Sequence, residues 1–542
     1  MNKYLRVLFV LITILFFSQM ARPQSWQWAA KAGGNYIDYS TGVAVDDSGN
    51  SYITGKFFDA ASFGSSTLVS PGLWSVYIAK YDDAGNLLWA KIAARDSLIS
   101  GSGISVDDFG GILITGQYYG QALFGISGAV ILNSSGDYDV YVAKYNSSGD
   151  LLWAQSFGGP GIDFAGGIST DYSGNVFLTG DLHATPFPYS SSKIFLSKYD
   201  PAGNNLWYKK SLKNGTDHFG NGIKTDAAGD IYITGEFFDT LLFDSSVIIA
   251  AGNVESNCFL ARFDSSGNIL WGQKAGAPSG YCGSKAIDID AAGNSYITGY
   301  FHGTISLGSF SITGSSGLAN EVFIAKCDPN GSYVWVGRST GQGNSRSISI
   351  DTAGNAFICG YFAQSITFGS DSINTSGGFD IFITKLNTSG NFEWTESCGG
   401  AQQDYAQGIK VTPHGIFLSG YFEDTIYFGT PISLTASSAN ASDIFLAKLN
   451  NTTGLEEKYN SNENYFCFPN PVTTELNIAN IKGNEKFLIY NAFGSIVMAG
   501  NLHDHKINVN KLCSGIYFIS VYTKNSSGEL TKVRFIISHP GN

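Results

Sequence analysis

The feature that most constrains this chain is a short segment that recurs seven times. VDDSGNSYITG ends at a glycine, and related segments such as TDAAGDIYITG and IDTAGNAFICG repeat the pattern. The seven final glycines are Gly55, Gly116, Gly180, Gly235, Gly299, Gly360 and Gly420. Because the steps between them are 55 to 64 residues, each copy must build one small structural unit, and the units must pack side by side.

A second segment follows within each unit, beginning as VYIAKYDDAGNLLW in the first one. Its fifth position is always basic: Lys80, Lys144, Lys198, Arg262, Lys326, Lys385 and Lys448. Its last position is a tryptophan in the first six units: Trp89, Trp153, Trp207, Trp271, Trp335 and Trp394. The two segments predict four antiparallel strands per unit, A to D, with Asx-Gly turns between A and B and between C and D.

Strands B and C are apolar or aromatic on both faces, so both faces must be covered. A radial array of four-stranded blades covers them and leaves only short edges. The seventh unit ends at NNTTGLEE without its strand-D tryptophan, whereas SWQWAAKAGG at residues 25–34 supplies Trp28. The sequence therefore predicts an all-β fold: a seven-bladed propeller over residues 25–455, closed by pairing of the N-terminal strand with the C-terminal unit.

The D-x-x-G-N-x-Y-x-x-G core of these units resembles the secreted β-propeller repeat (SBBP) family. The resemblance covers about four-fifths of the chain and supports the propeller. It implies export and a repeated fold, and it implies no particular activity.

Both ends of the chain predict export. Residues 1–24 place Lys3 and Arg6 before an apolar run that is too short to span a membrane comfortably, which is typical of a cleaved signal peptide. No other apolar run has membrane length, so we expect no transmembrane helix after its removal. A linker at 456–466 leads to residues 467–542, where short alternating strands predict a small β-sandwich.

Residues 467–542 resemble the type A sorting domain of the Bacteroidota type IX secretion system. The matching positions are Pro469, Asn470, Pro471, Gly494, Gly515, Ile516 and Tyr517. The resemblance implies that the secretion machinery is a partner, and that the protein is secreted or attached to the outer-membrane surface.

Composition and motifs exclude several functions. A net charge of −12 leaves no basic surplus for nucleic acid. No G-x-S-x-G, H-E-x-x-H or P-loop motif is present, so no catalytic residue and no catalytic metal site is predicted. The seven cysteines are unevenly spaced and give no disulfide framework; Cys467 and Cys513 share a domain and are the pair worth testing.

The turn between strands A and B repeats an aspartate at Asp46, Asp107, Asp171, Asp226, Asp290 and Asp351. We expect it to satisfy backbone N–H groups in the turn and to pair with the basic residue of its own unit. Unit seven has Thr412 instead and is the expected exception. Calcium is the alternative ligand for these turns, although the loops lack the closing bidentate acid of a complete calcium site.

The crossings into strand A provide candidate ligand-binding residues. Four of them carry an aspartate beside an aromatic residue: Asp38 with Tyr39, Asp163 with Phe164, Asp217 with Phe219, and Asp404 with Tyr405. Carboxylates beside flat apolar rings suit sugars. A hydrated cation is the other possible ligand. The remaining alternative is that the aspartates cap their own turns and the rings pack between units.

Three functions remain open at this point. The first is a non-catalytic adhesin or scaffold that binds a polysaccharide or a surface protein. The second is a carbohydrate-active hydrolase or lyase that uses two of these carboxylates at a glycosidase spacing. The third is a passive surface-coat protein.

Overall fold

The computed structural model describes most of the repeat array and part of the C-terminal region. The described residues are 25–71, 74–125, 130–185, 192–212, 217–243, 246–249, 256–315, 317, 319–439, 441–450, 467–468, 474–478, 486–491, 496–502, 506–512, 515–522 and 530–537. The predicted signal peptide, the linker, Cys513, Gly494 and the Pro469-Asn470-Pro471 motif lie outside them.

All regular structure in the described residues is β. These residues include no α-helix, and therefore no helix that is long and apolar enough to cross a membrane. The chain divides into two compact units, Met1–Asn451 and Thr452–Asn542.

The repeat region contains the four strands expected for each unit. Strand A spans Tyr39–Val45, Phe164–Thr170, His218–Thr225, Gly343–Ile350 and Asp404–Thr412 in units one, three, four, six and seven. Two long strands, Leu87–Val106 and Ile269–Ile289, each combine strand D of one unit with strand A of the next. Strand B spans Ser51–Phe57, Ile112–Phe124, Val176–His183, Ile231–Phe237, Ser295–Leu307, Ala356–Phe368 and Gly415–Glu423.

Strands C and D complete each sheet. Strand C spans Trp74–Tyr81, Val130–Tyr145, Ser192–Tyr199, Asn257–Phe263, Glu321–Cys327, Asp371–Leu386 and Ser442–Leu449. The separate D strands are Leu151–Phe157, Asn205–Lys210, Tyr333–Thr340, Phe392–Cys398 and Trp26–Gly34. Short additional strands extend the loops at Ala60–Phe63, Ser66–Val69, Thr240–Phe243, Ser246–Ile249, Phe310–Thr313, Thr425–Tyr427 and Ser433–Thr435.

The Asx-Gly turns form as the sequence predicts. In unit one, an Asp46 carboxylate oxygen accepts hydrogen bonds from the backbone N–H groups of Ser48 and Asn50, at 3.0 and 2.9 Å. Gly49 has φ +81, a left-handed conformation that glycine adopts without steric cost. Side-chain acceptance of the turn N–H groups explains why an aspartate recurs at this position.

Consecutive units are joined by the strand-D tryptophans. The Trp153 indole N–H donates to the Pro201 carbonyl at 3.0 Å, in the turn between strands C and D of the following unit. Its ring covers the turn glycine so closely that a Cβ on Gly203 would lie 2.6 Å from it. Equivalent ring-on-glycine contacts are made by Trp89 on Gly149, Trp207 on Gly267, Trp271 on Gly331, and Trp335 on Gly390.

The N-terminal strand belongs to the seventh unit. Trp26–Gly34 pairs antiparallel with Ser442–Leu449 and places Trp28 opposite Lys448. Trp28 also makes the contact with unit one that the other tryptophans make with the next unit. Its N–H donates to the Asp83 carbonyl at 3.0 Å, and its ring covers Gly85.

The C-terminal unit contains two sheets. One is built from Cys467–Phe468, Glu475–Ile478 and Lys506–Asn508, and the other from Ile496–Asn501, Lys486–Asn491, Gly515–Tyr522 and Leu530–Ile537. Buried Leu476 and Ile507 of the first sheet share one core with Ile489 and Ile519 of the second. Gly515, Ile516 and Tyr517 of the sorting motif lie on a strand, and Tyr517 is buried.

Candidate functional site

A β-bulge recurs in strand A of all seven units, directly beside the repeat glycine. In unit one the pairing shifts between Ser40 and Gly42, while Ser40 lies opposite Gly55. The residues in the bulges are Thr41, Ser102, Gly166, Asn221, Lys285, Arg346 and Gln407. All are half-buried. A bulge redirects a side chain out of the regular pleat, and bulges are frequent next to functional sites.

The residues that follow the repeat glycines form a second row beside the bulges. They are Lys56, Gln117, Asp181, Glu236, Tyr300, Tyr361 and Tyr421. The glycine before each is required by close backbone approach: a Cβ on Gly55 would lie 1.9 Å from the Tyr39 carbonyl oxygen. The seven bulged residues and the seven residues after the repeat glycines are called the bulge band below.

Tyrosines cluster in and beside one part of the bulge band. Tyr405 lies 4.8 Å from Tyr361 and 5.0 Å from Tyr421, measured between ring centroids, and the second pair is stacked. Tyr421 lies 4.5 Å from Tyr39 in an edge arrangement. The cluster therefore runs from unit six through unit seven to unit one. Its rings are half-buried and provide flat apolar surface with phenol hydroxyl groups.

Charged residues are also present in the band, and two of them form an ion pair. Lys285 forms an ion pair with Glu236, whose other carboxylate oxygen accepts a hydrogen bond from the Tyr300 hydroxyl at 3.4 Å. Asn221 donates to Glu236 at 3.2 Å. Asp181 is buried, and burial raises its pKa well above the usual value, with Asp163 adding to the shift.

A pocket of about 290 Å³ opens within the bulge band between units five and six. It is lined by Lys285, Tyr300, Asn320, Asn344, Ser345, Arg346 and Tyr361. A pocket near 300 Å³ with a few directed polar groups is at the small end of the range for ligand sites.

Three of the four predicted aspartates are placed differently from what a ligand role requires. Asp38, Asp163 and Asp404 have no exposed surface. Asp38 accepts hydrogen bonds from the N–H groups of Gly34 and Phe58, at 2.8 and 3.1 Å. With no exposed oxygen, none of the three offers an acceptor to a dissolved ligand in this structure. They cap backbone turns, which is the alternative that the sequence left open.

Burial also changes the acidity of these carboxyl groups. Loss of hydration raises the pKa of Asp38 and Asp163 to about 7 and that of Asp404 to about 8, against hydrogen bonds from backbone N–H groups that lower it. Asp217 is exposed, and its carboxylate accepts from the Ser192 N–H at 3.3 Å.

The aromatic partners of these aspartates divide into two groups. Tyr39 and Tyr405 belong to the tyrosine cluster described above. Phe164 is 39% exposed and contacts the His183 ring edge-on at 6.2 Å, whereas Phe219 is half-buried. Their role in ligand binding stays a prediction.

The basic residues of strand C pair largely as expected. Lys144 contacts Asp107 at 2.8 Å, and the same intra-unit pair is present at Lys80–Asp46, Arg262–Asp226 and Lys326–Asp290, at 3.9, 3.5 and 3.5 Å. Lys385 instead pairs with Glu393 at 2.9 Å. Lys448, the expected exception, pairs with Asp83 of unit one at 2.6 Å.

Metal and disulfide chemistry find little support in the described part of the chain. No group of three or more His, Cys, Asp and Glu side chains converges there. Cys258, Cys282, Cys327, Cys359 and Cys398 are free and buried. The Cys467–Cys513 pair lies outside the described side chains.

Sequence reasoning missed the bulge band. Its one visible signal is the position after the repeat glycine, which changes from Lys to Gln, Asp, Glu and Tyr while neighbouring positions stay alike. The bulges themselves leave no mark, because each is one residue within an apolar or small-residue strand.

Family comparisons bear on both regions. Residues 467–538 match the secretion system C-terminal sorting domain, and residues 27–56 and 152–188 match the β-propeller repeat called SBBP. The chain carries SBBP β-propeller repeats and a type IX secretion C-terminal sorting domain. The protein is therefore secreted or attached to the cell surface.

Curated relatives of this SBBP-repeat protein are distant. It is 22% identical over 509 residues to an uncharacterized WD repeat-containing protein of Acanthamoeba polyphaga mimivirus, covering 75% of this chain and 36% of the relative. It is 23% identical over 362 residues to the regulatory protein FlaEY of Caulobacter vibrioides, covering 54% of this chain and 36% of the relative. The SBBP-repeat protein thus spans about a third of the length of each.

Solved structures also resemble it weakly. One is PorZ, a surface component of the type IX secretion system of Porphyromonas gingivalis, with 11% identity, a TM-score of 0.25, and coverage of 92% of this chain and 81% of PorZ. Another is a protein of unknown function from Bacteroides caccae, with 10% identity, a TM-score of 0.32, and coverage of 59% and 89%. At such TM-scores the chains do not superpose as wholes.

Proposed function

We propose that the seven units close into one propeller and that its bulge band binds a glycan without catalysis, as an adhesin or scaffold at the cell surface. Closure is supported by the N-terminal strand, which pairs with unit seven while Trp28 docks on the Gly85 turn of unit one. Strand A adds a second contact, since a Cβ on Gly408 would lie 2.9 Å from the Val43 nitrogen.

Glycan binding rests on one observation: half-buried tyrosine rings line up beside directed amide groups. Pyranose rings pack on aromatic faces, and their hydroxyl groups bond to amides and phenols. Tyr361, Tyr405 and Tyr421 provide the faces, and Asn320 and Asn344 provide amides in the adjoining pocket. Tyr361 belongs to both the pocket and the tyrosine cluster, so these groups extend from unit five to unit seven.

The burial of three of the four carboxylates proposed for catalysis disfavours the enzyme. A glycosidase holds two working carboxyl groups at its cleft. Among the described residues that sequence analysis proposed for that role, Asp38, Asp163 and Asp404 are buried under their own turns.

The test is binding of the full chain to a panel of plant, algal and bacterial polysaccharides, with and without calcium. The variant Tyr361→Ala combined with Tyr405→Ala removes two rings of the cluster. Tyr172→Ala is the matched control, because Tyr172 is 67% exposed and lies on a turn between strands A and B.

The proposal requires binding by the parent and the control, with loss in the double variant. No binding to any polysaccharide would overturn it and leave protein adhesion or surface coating. Shortened products would replace it with the carbohydrate-active enzyme. Calcium dependence would assign the turn aspartates a role in the site.

A further inference from the structure

Arg346 is the cation of the pocket lining to which the described residues give no carboxylate partner. Lys56, the other cation of the bulge band without one, lies over the Trp74 ring at 4.3 Å, outside this pocket. The Nε of Arg346 is buried and makes no hydrogen bond within the described part of the chain. Its polar contact is with the Tyr361 hydroxyl, at 3.5 Å from Nη2, and the guanidinium lies 5.4 Å from the centre of the Tyr361 ring.

The neighbouring cations show how different this is. Lys285 pairs with Glu236, and Arg338 pairs with Glu321 at 2.8 Å. A guanidinium remains charged at any pH that proteins experience, so a half-buried one without a counter-ion reduces stability. Residues that lower stability and make no compensating contact are frequent at binding sites.

The pocket around Arg346 is built from hydrogen-bond donors. The Tyr281 hydroxyl donates to Asn320 Oδ1 at 2.8 Å, and Asn320 Nδ2 donates to Asn344 Oδ1 at 3.4 Å. The second of these hydrogen bonds occupies the side-chain oxygen of Asn344. The Asn344 amide N–H groups can therefore donate to a ligand. The network thereby places an amide donor beside the guanidinium in the same pocket.

The lining of the pocket carries a net positive charge. Lys285 is neutralised by Glu236, so the net charge of the lining comes from Arg346. Its field reaches the tyrosine cluster, where burial raises the pKa of Tyr405 and Arg346 opposes that shift. The carboxylate of Glu423 also lies near the cluster, and its charge raises the pKa of Tyr39 and Tyr405.

We infer that the pocket binds the anionic substituent of an acidic polysaccharide, a sulfate or carboxylate group, through the Arg346 guanidinium. Arginine presents a planar set of N–H donors that matches these oxyanions, often through two hydrogen bonds. Asn344 adds a neutral donor, and the Tyr300 and Tyr361 rings flank the sugar that carries the group. This inference rests on the proposed glycan-binding function and specifies its ligand class.

The experiment compares three polysaccharide sets on the full chain: sulfated galactans, uronate polymers and neutral glucans. Arg346→Gln removes the charge but keeps a polar side chain. Arg95→Gln is the matched control, because Arg95 is a half-buried arginine beside Asp96 in unit one, away from this pocket. We expect about tenfold or greater loss of acidic-glycan affinity for Arg346→Gln, since charge-assisted hydrogen bonds are the strong ones, and no loss for Arg95→Gln.

Two further readouts separate ligand binding from a structural role. The melting temperature of Arg346→Gln should not fall, because the substitution removes a charge without a counter-ion. Salt screens interactions between charges. Raising the salt concentration from about 50 to about 500 mM should therefore weaken acidic-glycan binding and leave neutral-glycan binding unchanged.

The outcomes distinguish this inference from the proposed function. Binding of neutral but not acidic glycans would overturn the inference and keep the function. Unchanged acidic binding in Arg346→Gln would also overturn it. A large fall in melting temperature together with equal loss of all glycans would assign Arg346 to folding and overturn it. No binding of any glycan would overturn both. Preference for one acidic set identifies the substituent.

Discussion

The contact between Trp28 and the Gly85 turn provides the sharpest test of the fold, through the substitution Gly85→Ala. Gly85 has φ +85, where an alanine is strained by about 1–2 kcal/mol. Its new Cβ would lie 2.5 Å from Trp28 Cδ2, so the indole must move. Moving it sacrifices the hydrogen bond to the Asp83 carbonyl, about 1 kcal/mol, and the edge contact with Phe417, about 1 kcal/mol.

The expected cost is therefore about 3–4 kcal/mol for Gly85→Ala. Gly110→Ala is the matched control. Gly110 has φ +79 in an equivalent turn, but the nearest atom to its Cβ is 3.8 Å away, so only the backbone strain of about 1–2 kcal/mol applies. The measurement is the urea unfolding midpoint, followed by near-ultraviolet circular dichroism.

A third variant tests whether the junction of units seven and one equals an interior junction. Gly149→Ala brings a Cβ to 2.8 Å from Trp89, between units one and two. Gly85→Ala and Gly149→Ala should shift the midpoint alike, and both more than Gly110→Ala. If Gly85→Ala is as mild as the control while Gly149→Ala is severe, the N-terminal strand does not dock on unit one and the closure argument fails.

Three further predictions address charge and export. Asp107→Asn should lower the free energy of unfolding in urea by about 3 kcal/mol, because Lys144 is left buried without its partner. Asp150→Asn breaks an exposed pair and should change the free energy of unfolding little. Equal effects of the two substitutions would contradict this prediction. Since burial raises the pKa of Asp404 to about 8 from 3.8, the folded state keeps a proton that the unfolded chain has released between those values, so stability should fall as the pH rises from 5 to 8. Asp404→Asn should reduce that dependence, with Asp38 and Asp163 contributing the remainder, and an unchanged slope would contradict it. Deleting residues 467–538 should retain the protein inside producing cells, measured by fractionation, with the full chain as control.

The strand plan was predictable because it is carried by local chemistry that repeats. An aspartate and a glycine three residues apart specify a turn in each unit that has them, and the Asp46–Gly49 turn depends on contacts within these few residues. The tryptophan of strand D was also visible, since it recurs at one position. Its contact with the following unit is what makes Trp28 recognisable as the missing piece of unit seven.

Burial of the crossing aspartates was not predictable in the same way. Asp38 and Tyr39 are adjacent, but strand A begins at Tyr39, and the preceding residue points under the turn. Whether a loop carboxylate faces water depends on which segments fold over it. The Phe58 N–H that reaches Asp38 comes from a loop twenty residues away, and no local pattern encodes it.

Long-range pairing explains the exception in unit seven. The sequence showed that Lys448 lacks an aspartate at Thr412, and from that residue alone no partner follows. The partner is Asp83, which the junction of the two chain ends brings to 2.6 Å. A charge left unpaired in the repeat pattern is thus compensated by the contact between units, and His414 adds a hydrogen bond to the Asp47 carbonyl at 3.1 Å.

The repeat glycines also explain where the units can differ. At Gly55 and Gly420 alike, a Cβ would meet the carbonyl oxygen of strand A at 1.9 Å, so these positions tolerate no side chain. The residue after each glycine has no such constraint, and it is charged at Lys56 and aromatic at Tyr421. The bulge beside it is equally free to vary. The ligand specificity proposed above can therefore change in the bulge band while the sheets stay the same.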